Sequence, residues 1–154
     1  MRLSAFSDYS LRVLMVLGGN TDRLVTIAEI ARMHEISENH LTKVVHQLGR
    51  AGYIETLRGK GGGMRLARAP REIALGEVLR QTETDFALVE CFGPGSRCQI
   101  EPGCQLKTIL GEALSALFRV LDSYTLADIL HQPGHPGPLA GLMTVVNRPT
   151  DGVA

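Results

Sequence analysis

No stretch of this chain approaches the roughly 20 consecutive apolar residues that a membrane-spanning helix requires, so no membrane partner is expected. The opening residues, MRLSAFSDYS, have neither the apolar run nor the small-residue cleavage site of a secretory signal, and the expected location is cytoplasmic. Cysteine is scarce: three residues, an odd number, with no Cys-x-x-Cys pair. That argues against a disulfide framework and against the paired ligands of a structural zinc site. Internal repeats are absent. Net charge is absent as well, the formal total being zero, but that balance conceals a division.

Residues 1–71 carry 11 Lys and Arg against 6 Asp and Glu, whereas residues 72–154 carry 5 against 10. A basic half followed by an acidic half points to a polyanion met by the first half only. From charge alone, a merely solvated basic face is an equal alternative.

Helical periodicity runs from a candidate cap at Ser7 through Leu11, Leu14, Met15 and Gly18. A second, short helix opens at Thr26, with Glu29 at capping-box distance. A third starts at Ser37 and sets Leu41, Val44, Val45 and Leu48 on one face, and Gly52 ends it. Two short strand patterns follow, Tyr53–Arg58 and Met64–Arg68, joined by Gly59-Lys60-Gly61-Gly62-Gly63. Three helices and then a hairpin is the order of a winged helix-turn-helix. A helix is expected over Ile73–Thr84, a loop over the cysteine window, and a long helix from about Cys104 to Tyr124. The apolar stripe of the long helix is wide enough to face two neighbours, one of them a second protomer; a bundle helix within one chain is the alternative. A last short helix starts at Thr125, and the Pro- and Gly-rich residues 132–154 are expected to be disordered. The fold class is therefore mainly α with a small β-hairpin wing. The expected division is a winged helix-turn-helix domain over 1–86, a cysteine loop over 87–104, a dimerisation helix with a short terminal helix over 105–131, and the tail.

The exposed side of the third helix and the hairpin supply candidate contacts to double-stranded DNA. On the helix these are Ser37, Asn39, His40, Lys43, His46 and Arg50; on the hairpin, Arg58, Lys60, Gly61, Gly62 and Arg65. Between Arg58 and Arg71 there are five basic residues and no acid, and glycines let the backbone come close to phosphate or enter the minor groove. Nucleotide-binding loops fail on spacing. Lys60 precedes Gly61 rather than Ser or Thr, and the pattern begun by Gly59 and Gly61 ends on Met64.

Cys91, Cys98 and Cys104 fall within one 14-residue window. Three thiolates on a loop suit an iron–sulfur cluster, which takes soft ligands and can draw its fourth from another residue. Three unrelated reduced thiols are the alternative on spacing alone.

The segments FSDYSLRVLMVL, ISENHLTKVVHQLGRAGYIETLRGKGGGMRL and VECF…C…PGCQLKTILGEAL…LDSYTLADIL resemble one family, the winged-helix iron–sulfur transcriptional regulators. The resemblance covers residues 1 to about 131 and is strongest to the family's nitric-oxide-sensing repressors, on FSDYSLRVL, SENHLTKVV, RGKGGGMRL and DSYTLADIL. It implies a homodimer whose long helices cross, binding a palindromic operator. It implies a cluster, [4Fe-4S] with [2Fe-2S] as alternative, ligated by Cys91, Cys98 and Cys104. It further implies that Asp8 of the other protomer completes the site, that nitric oxide releases DNA, and that detoxification genes are then derepressed. The other reading of Asp8 is an acid in a first helical turn, favoured by the helix dipole. Cysteine spacing varies across the family and does not fix the subtype. The rivals are a sensor of iron or iron–sulfur status in the same family, a thiol-redox enzyme, disfavoured because no Cys-x-x-Cys is present and His131 and His135 sit in the tail, and a protein-interaction module with a vestigial site.

Overall fold

Local hydrogen bonds fix where the first three helices begin. A computed structural model describes residues 2–130. The tail, with His131 and His135, lies outside the described residues. Helix α1 (Ala5–Gly18) is capped by Ser4, whose hydroxyl accepts the Ser7 N–H at 3.2 Å. The sequence pointed to Ser7 as this cap. Ser7 is instead buried inside the helix, because its hydroxyl finds a partner across the core in Thr82 Oγ1 at 2.8 Å. Helix α2 (Ile27–His34) opens with the expected capping box: Thr26 Oγ1 accepts from the Glu29 N–H, and Glu29 Oε2 accepts from the Thr26 N–H at 2.6 Å. Ser37 caps α3 (Glu38–Arg50), as expected.

The hairpin pairs β1 (Ile54–Leu57) with β2 (Gly63–Leu66), Ile54 opposite Leu66 and Leu57 opposite Gly63. On its other side β2 is held by Val25, which exchanges both backbone bonds with Met64 at 3.0 and 2.8 Å. The wing is thereby anchored to the chain just before α2, and only its tip projects.

The expected helix over Ile73–Thr84 is shorter. A 3-10 turn occupies Pro70–Glu72 and α4 spans Leu75–Thr82. The reason is a backbone staple: Leu75 N–H donates to Tyr124 O (3.0 Å) and Leu126 N–H to Ile73 O (2.8 Å), which holds Ile73 and Ala74 extended. After another 3-10 turn at Glu90–Phe92 the long helix α5 (Gln105–Asp122) begins one residue beyond Cys104. A short α6 (Leu126–Leu130) closes the described chain, with Asp128 accepting from both the N–H and the hydroxyl of Thr125.

The core is built on α1. Val13, Leu14, Val16 and Leu17 are at most 2% exposed, and α1 packs on α3, α4, α6 and β2. Leu41, Val44, Val45 and Leu48 bury one side of α3 against it and leave the opposite side outward. Helix α5 contrasts sharply: none of its residues is buried, and Leu106, Ile109 and Val120 on it, with Tyr124 just beyond, are each more than half exposed. No helix among the described residues is long and apolar enough to cross a membrane.

Since Leu14 is fully buried where these elements meet, Leu14→Ala should cost about 2–5 kcal/mol through lost transfer energy and the cavity left behind. Urea titration checks this as a lower midpoint at unchanged slope. A midpoint equal to that of the parent chain would contradict the central place given to α1.

Candidate nucleic-acid interface and thiol loop

The outward side of α3 carries Ser37 at its cap and Asn39, His40, Lys43, His46 and Arg50, all exposed. Lys43, His46 and Arg50 make no ion pair or hydrogen bond among the described residues. They border a hollow of about 870 Å³ shared with Gln47, Gln81 and Phe6. His40 is less free, because its ring stacks on Tyr9 with centroids 6.4 Å apart. Sequence reasoning passed over two further exposed α3 residues, Thr42 and Gln47. The Gln47 amide donates to the Gln81 carbonyl at 2.9 Å, a partner 34 residues away that no local pattern reveals.

At the wing tip Gly59 and Gly61 have φ of 102° and 77°, a region that other residues rarely adopt. The turn is closed by Gly62 N–H donating to Gly59 O at 2.9 Å, and a Cβ on Gly62 would collide with the Leu57 carbonyl. Arg58 and Lys60 stand exposed and unpaired beside this turn. Arg65 and Arg68 are otherwise engaged. Arg65 donates to Glu55, its register partner across the hairpin. Arg68 lies 4.4 Å over the Tyr53 ring and donates to Glu77 at 3.3 Å. Of the five basic residues that follow one another in the sequence, Arg58, Lys60 and Arg71 therefore keep their charge fully outward.

Cys91, Cys98 and Cys104 are free thiols, each half-buried, on the segment joining α4 to α5. Cys91 sits in the Glu90–Phe92 turn, and Cys104 is the residue before α5. Cys98 lies between them, its N–H held by Ser96 Oγ at 3.2 Å and its carbonyl accepting from the Glu101 N–H at 3.3 Å. Lys107 pairs with Glu101, and this hydrogen bond holds the lysine above its usual range; the charges of Cys91 and Cys104 act on it in the same direction. Lys107 thus lies within electrostatic reach of two of the three thiols. As donors the three suit soft iron, being reduced, partly shielded from water and on one loop. Among the described residues, no three Cys, His, Asp or Glu side chains are gathered closely enough to hold a single metal ion. The loop would have to draw its thiols together around a larger group, and a fourth ligand would come from elsewhere.

Asp8 lies in the first turn of α1, half-exposed, and within its own chain pairs with Arg12 at 3.0 Å. The structure therefore does not bring Asp8 to the thiols of the same chain.

Comparison with known proteins bears on the whole described chain. A family model described as Rrf2, iron-dependent transcriptional regulator, matches residues 3–132. The HTH-type transcriptional regulator NsrR of Bacillus licheniformis is 52% identical over 137 residues, spanning 88% of this chain and 96% of its own length. Among solved structures, the global cysteine regulator CymR of B. subtilis superposes with a TM-score of 0.70 at 27% identity, over 84% of this chain and 96% of its own. IscR of T. potens gives 0.67, also at 27% identity, over 84% and 86%.

His34, at the end of α2, lies within electrostatic reach of the Asp8–Arg12 pair. Among the described residues its Nε2 is buried without a hydrogen-bond partner, and burial, with the Arg12 cation adding to it and Asp8 opposing, holds its pKa below the ordinary 6.5. The folded chain then binds fewer protons than the unfolded chain as pH falls through that value. Stability present above it is lost below it. Between pH 7 and pH 5 the parent chain should lose more stability in urea titrations than His34→Gln does. Parallel losses in the two proteins would remove His34 from this role.

Proposed function

The chain belongs to the Rrf2 family and is an NsrR-like winged-helix transcriptional regulator, and from that membership we propose that it is a dimeric, iron–sulfur-dependent repressor that responds to nitric oxide. The observation that carries the proposal is the confinement of all three cysteines, reduced and half-buried, to the one segment that links the DNA-binding helices to α5. Residues 1–86 serve as the DNA-binding unit, 87–104 as the sensing loop and 105–131 as the dimerising element.

Lys43, His46 and Arg50 contact phosphates, and Asn39 reaches base edges. Arg58 and Lys60 enter the flanking minor groove on a tip whose glycines allow close approach. Ser37, His40, Gly61 and Gly62 lie where backbone and short side chains meet the duplex, whereas Arg65 contributes little while Glu55 holds it. The exposed Leu106, Ile109 and Val120 of α5 are covered by a second copy of the chain. The two-fold axis then sets two α3 helices about one helical turn, roughly 34 Å, apart on a palindromic operator.

Cys91, Cys98 and Cys104 would hold the cluster, with the partner's Asp8 as fourth ligand. When bound, the cluster would supply iron able to take up nitric oxide. A carboxylate is the hardest of the four donors, so Asp8 would be the weakest anchor. Asp8 is available for this exchange because an exposed i,i+4 ion pair such as Asp8–Arg12 is worth only about 0.3–0.5 kcal/mol. With Asp8 held by Arg12, as in the single chain, the α1 of one protomer would be uncoupled from the thiol loop of the other. A second reading keeps the same residues and makes iron or iron–sulfur supply the signal. The iron-dependent description of the family favours it.

Anaerobic protein titrated with nitric oxide, with absorbance and DNA binding followed together, separates the two. Bleaching and DNA release in step support the nitric oxide sensor. Resistance to nitric oxide, with release on iron chelation, selects the supply sensor. Cys98→Ala should abolish cluster absorbance and tight operator binding together, and binding at parental strength would defeat both readings. On operator DNA, Lys60→Ala and Arg58→Ala should each lower the salt slope by about one unit. Arg65→Ala should lower it by less, and equal losses for all three would show that the Glu55 pair opens on DNA.

A further inference from the structure

Four consecutive residues at the end of α4 reach three other helices between them. Arg80 grips Asp122 of α5 with two parallel bonds of 2.6 and 2.8 Å. The Gln81 carbonyl accepts the Gln47 amide of α3 at 2.9 Å. Thr82 shares its buried hydrogen bond with Ser7 of α1, and Glu83 accepts the N–H of Ser4, the α1 cap, at 2.8 Å. The segment carrying the cysteines starts immediately afterwards. We propose that this turn, Arg80–Glu83, is the joint through which the state of the thiol loop reaches the recognition helix, with Arg80 as its positioning residue. The inference rests on the reading above that the cysteine loop controls DNA binding.

The Arg80 contact is better built than an ordinary surface pair, which contributes little. Its guanidinium makes a planar two-pronged bond to the carboxylate, a geometry lysine cannot reproduce. It also lies 4.2 Å over the Phe118 ring of α5. Phe118 in turn meets Phe86 edge-on at 4.7 Å, so the start of the cysteine segment is fastened at the same node. Gly76 is part of the same fit: a Cβ there would collide with the Asp122 carboxylate and displace it from its place against Arg80. The backbone staple between residues 73–75 and 124–126 lies beside it.

The geometry is that of a pinned lever. Helix α5, about 27 Å long for its 18 residues, is fixed at its far end by Asp122, while its near end follows Cys104. A change in how the loop holds Cys104 moves the near end and turns α5 about the pin. Arg80 passes that rotation to α4, and the neighbouring Gln81 passes it to the last turn of α3, where Gln47 stands among Lys43, His46 and Arg50. A contiguous path of this kind counts as coupling only when perturbing it changes the linkage between its ends.

The test compares operator affinity of the full-length protein with and without its cluster, in the parent, Arg80→Gln and Arg80→Lys. The parent ratio is expected within the roughly 5- to 150-fold span of ordinary allosteric coupling, falling to about twofold or less in Arg80→Gln and to an intermediate value in Arg80→Lys. Cluster absorbance should not move, since the contacts of Arg80 are with Asp122 and Phe118 and not with the thiols. Amide exchange of residues 47–51 gives a second readout. In the parent it should speed up on cluster loss, and in Arg80→Gln it should be fast in both forms. A full parental ratio in Arg80→Gln, or in Arg80→Lys should the first variant not fold, overturns the joint. A parent with no cluster dependence sinks the sensing function, and the joint with it.

Discussion

Burial of one face of α1 is the constraint on which everything else in this molecule depends. Helices of 8 to 13 residues, such as α2, α3 and α4, are marginal in water when isolated, and an isolated two-stranded hairpin is no better. They persist because Val13, Leu14, Val16 and Leu17 give α3, α4 and the hairpin a common apolar wall, while α2 packs on α3. The same arrangement makes α1 a mechanical intermediary. Its buried face fixes α3 and α4, its other side carries Asp8 and Arg12, and at the core's edge His40 of α3 stacks on its Tyr9 ring. Under the proposed function, ligation at Asp8 would act on the element that sets α3 in place.

Much of the winged helix was legible in the sequence, for identifiable physical reasons. The α3 stripe follows the 3.6-residue period without interruption, the capping box at Thr26 and Glu29 is a local signal, and the glycines between the strands mark the turn. What escaped depended on distant partners. Ser7 carries a good cap side chain, but Thr82, 75 residues away, claims it, and Ser4 caps instead. The start of α4 is postponed by hydrogen bonds from residues beyond α5. Arg65 and Arg68 read as part of a basic run until Glu55 and Tyr53 are seen to hold them. In the candidate site the sequence supplied the residue types and the loop that carries them. It could not supply the separation of the three thiols, which is a matter of loop conformation.

The division of charge has a structural counterpart. The unpaired cations of α3 and the wing tip face outward from the basic half. In the acidic half, Asp122 is paired with Arg80, Glu101 with Lys107, and Asp128 caps α6. Arg80 and Asp122 hold each other firmly in their charged forms, the arginine raised and the aspartate lowered by their mutual bond. Charge in the second half thus serves internal joints, and a polyanion would be attracted to the first half only.

The partition between core and sensing parts also limits how such a protein can switch. Allosteric couplings are typically about 1–3 kcal/mol, well below the 5–15 kcal/mol that holds a domain folded. A signal of that size cannot act by dismantling the α1 core, and it has no need to. The thiol loop and α5 have no fully buried residue, so their arrangement can change without opening the interior. The apolar residues that α5 leaves exposed favour whichever arrangement covers them best. Under the proposed function, docking of α5 in the dimer and on α4 would be the element with two states, with the thiol loop at its near end. A sensor built this way keeps its DNA-reading domains folded in both states and alters only the distance and angle between them, which is the quantity a palindromic operator measures.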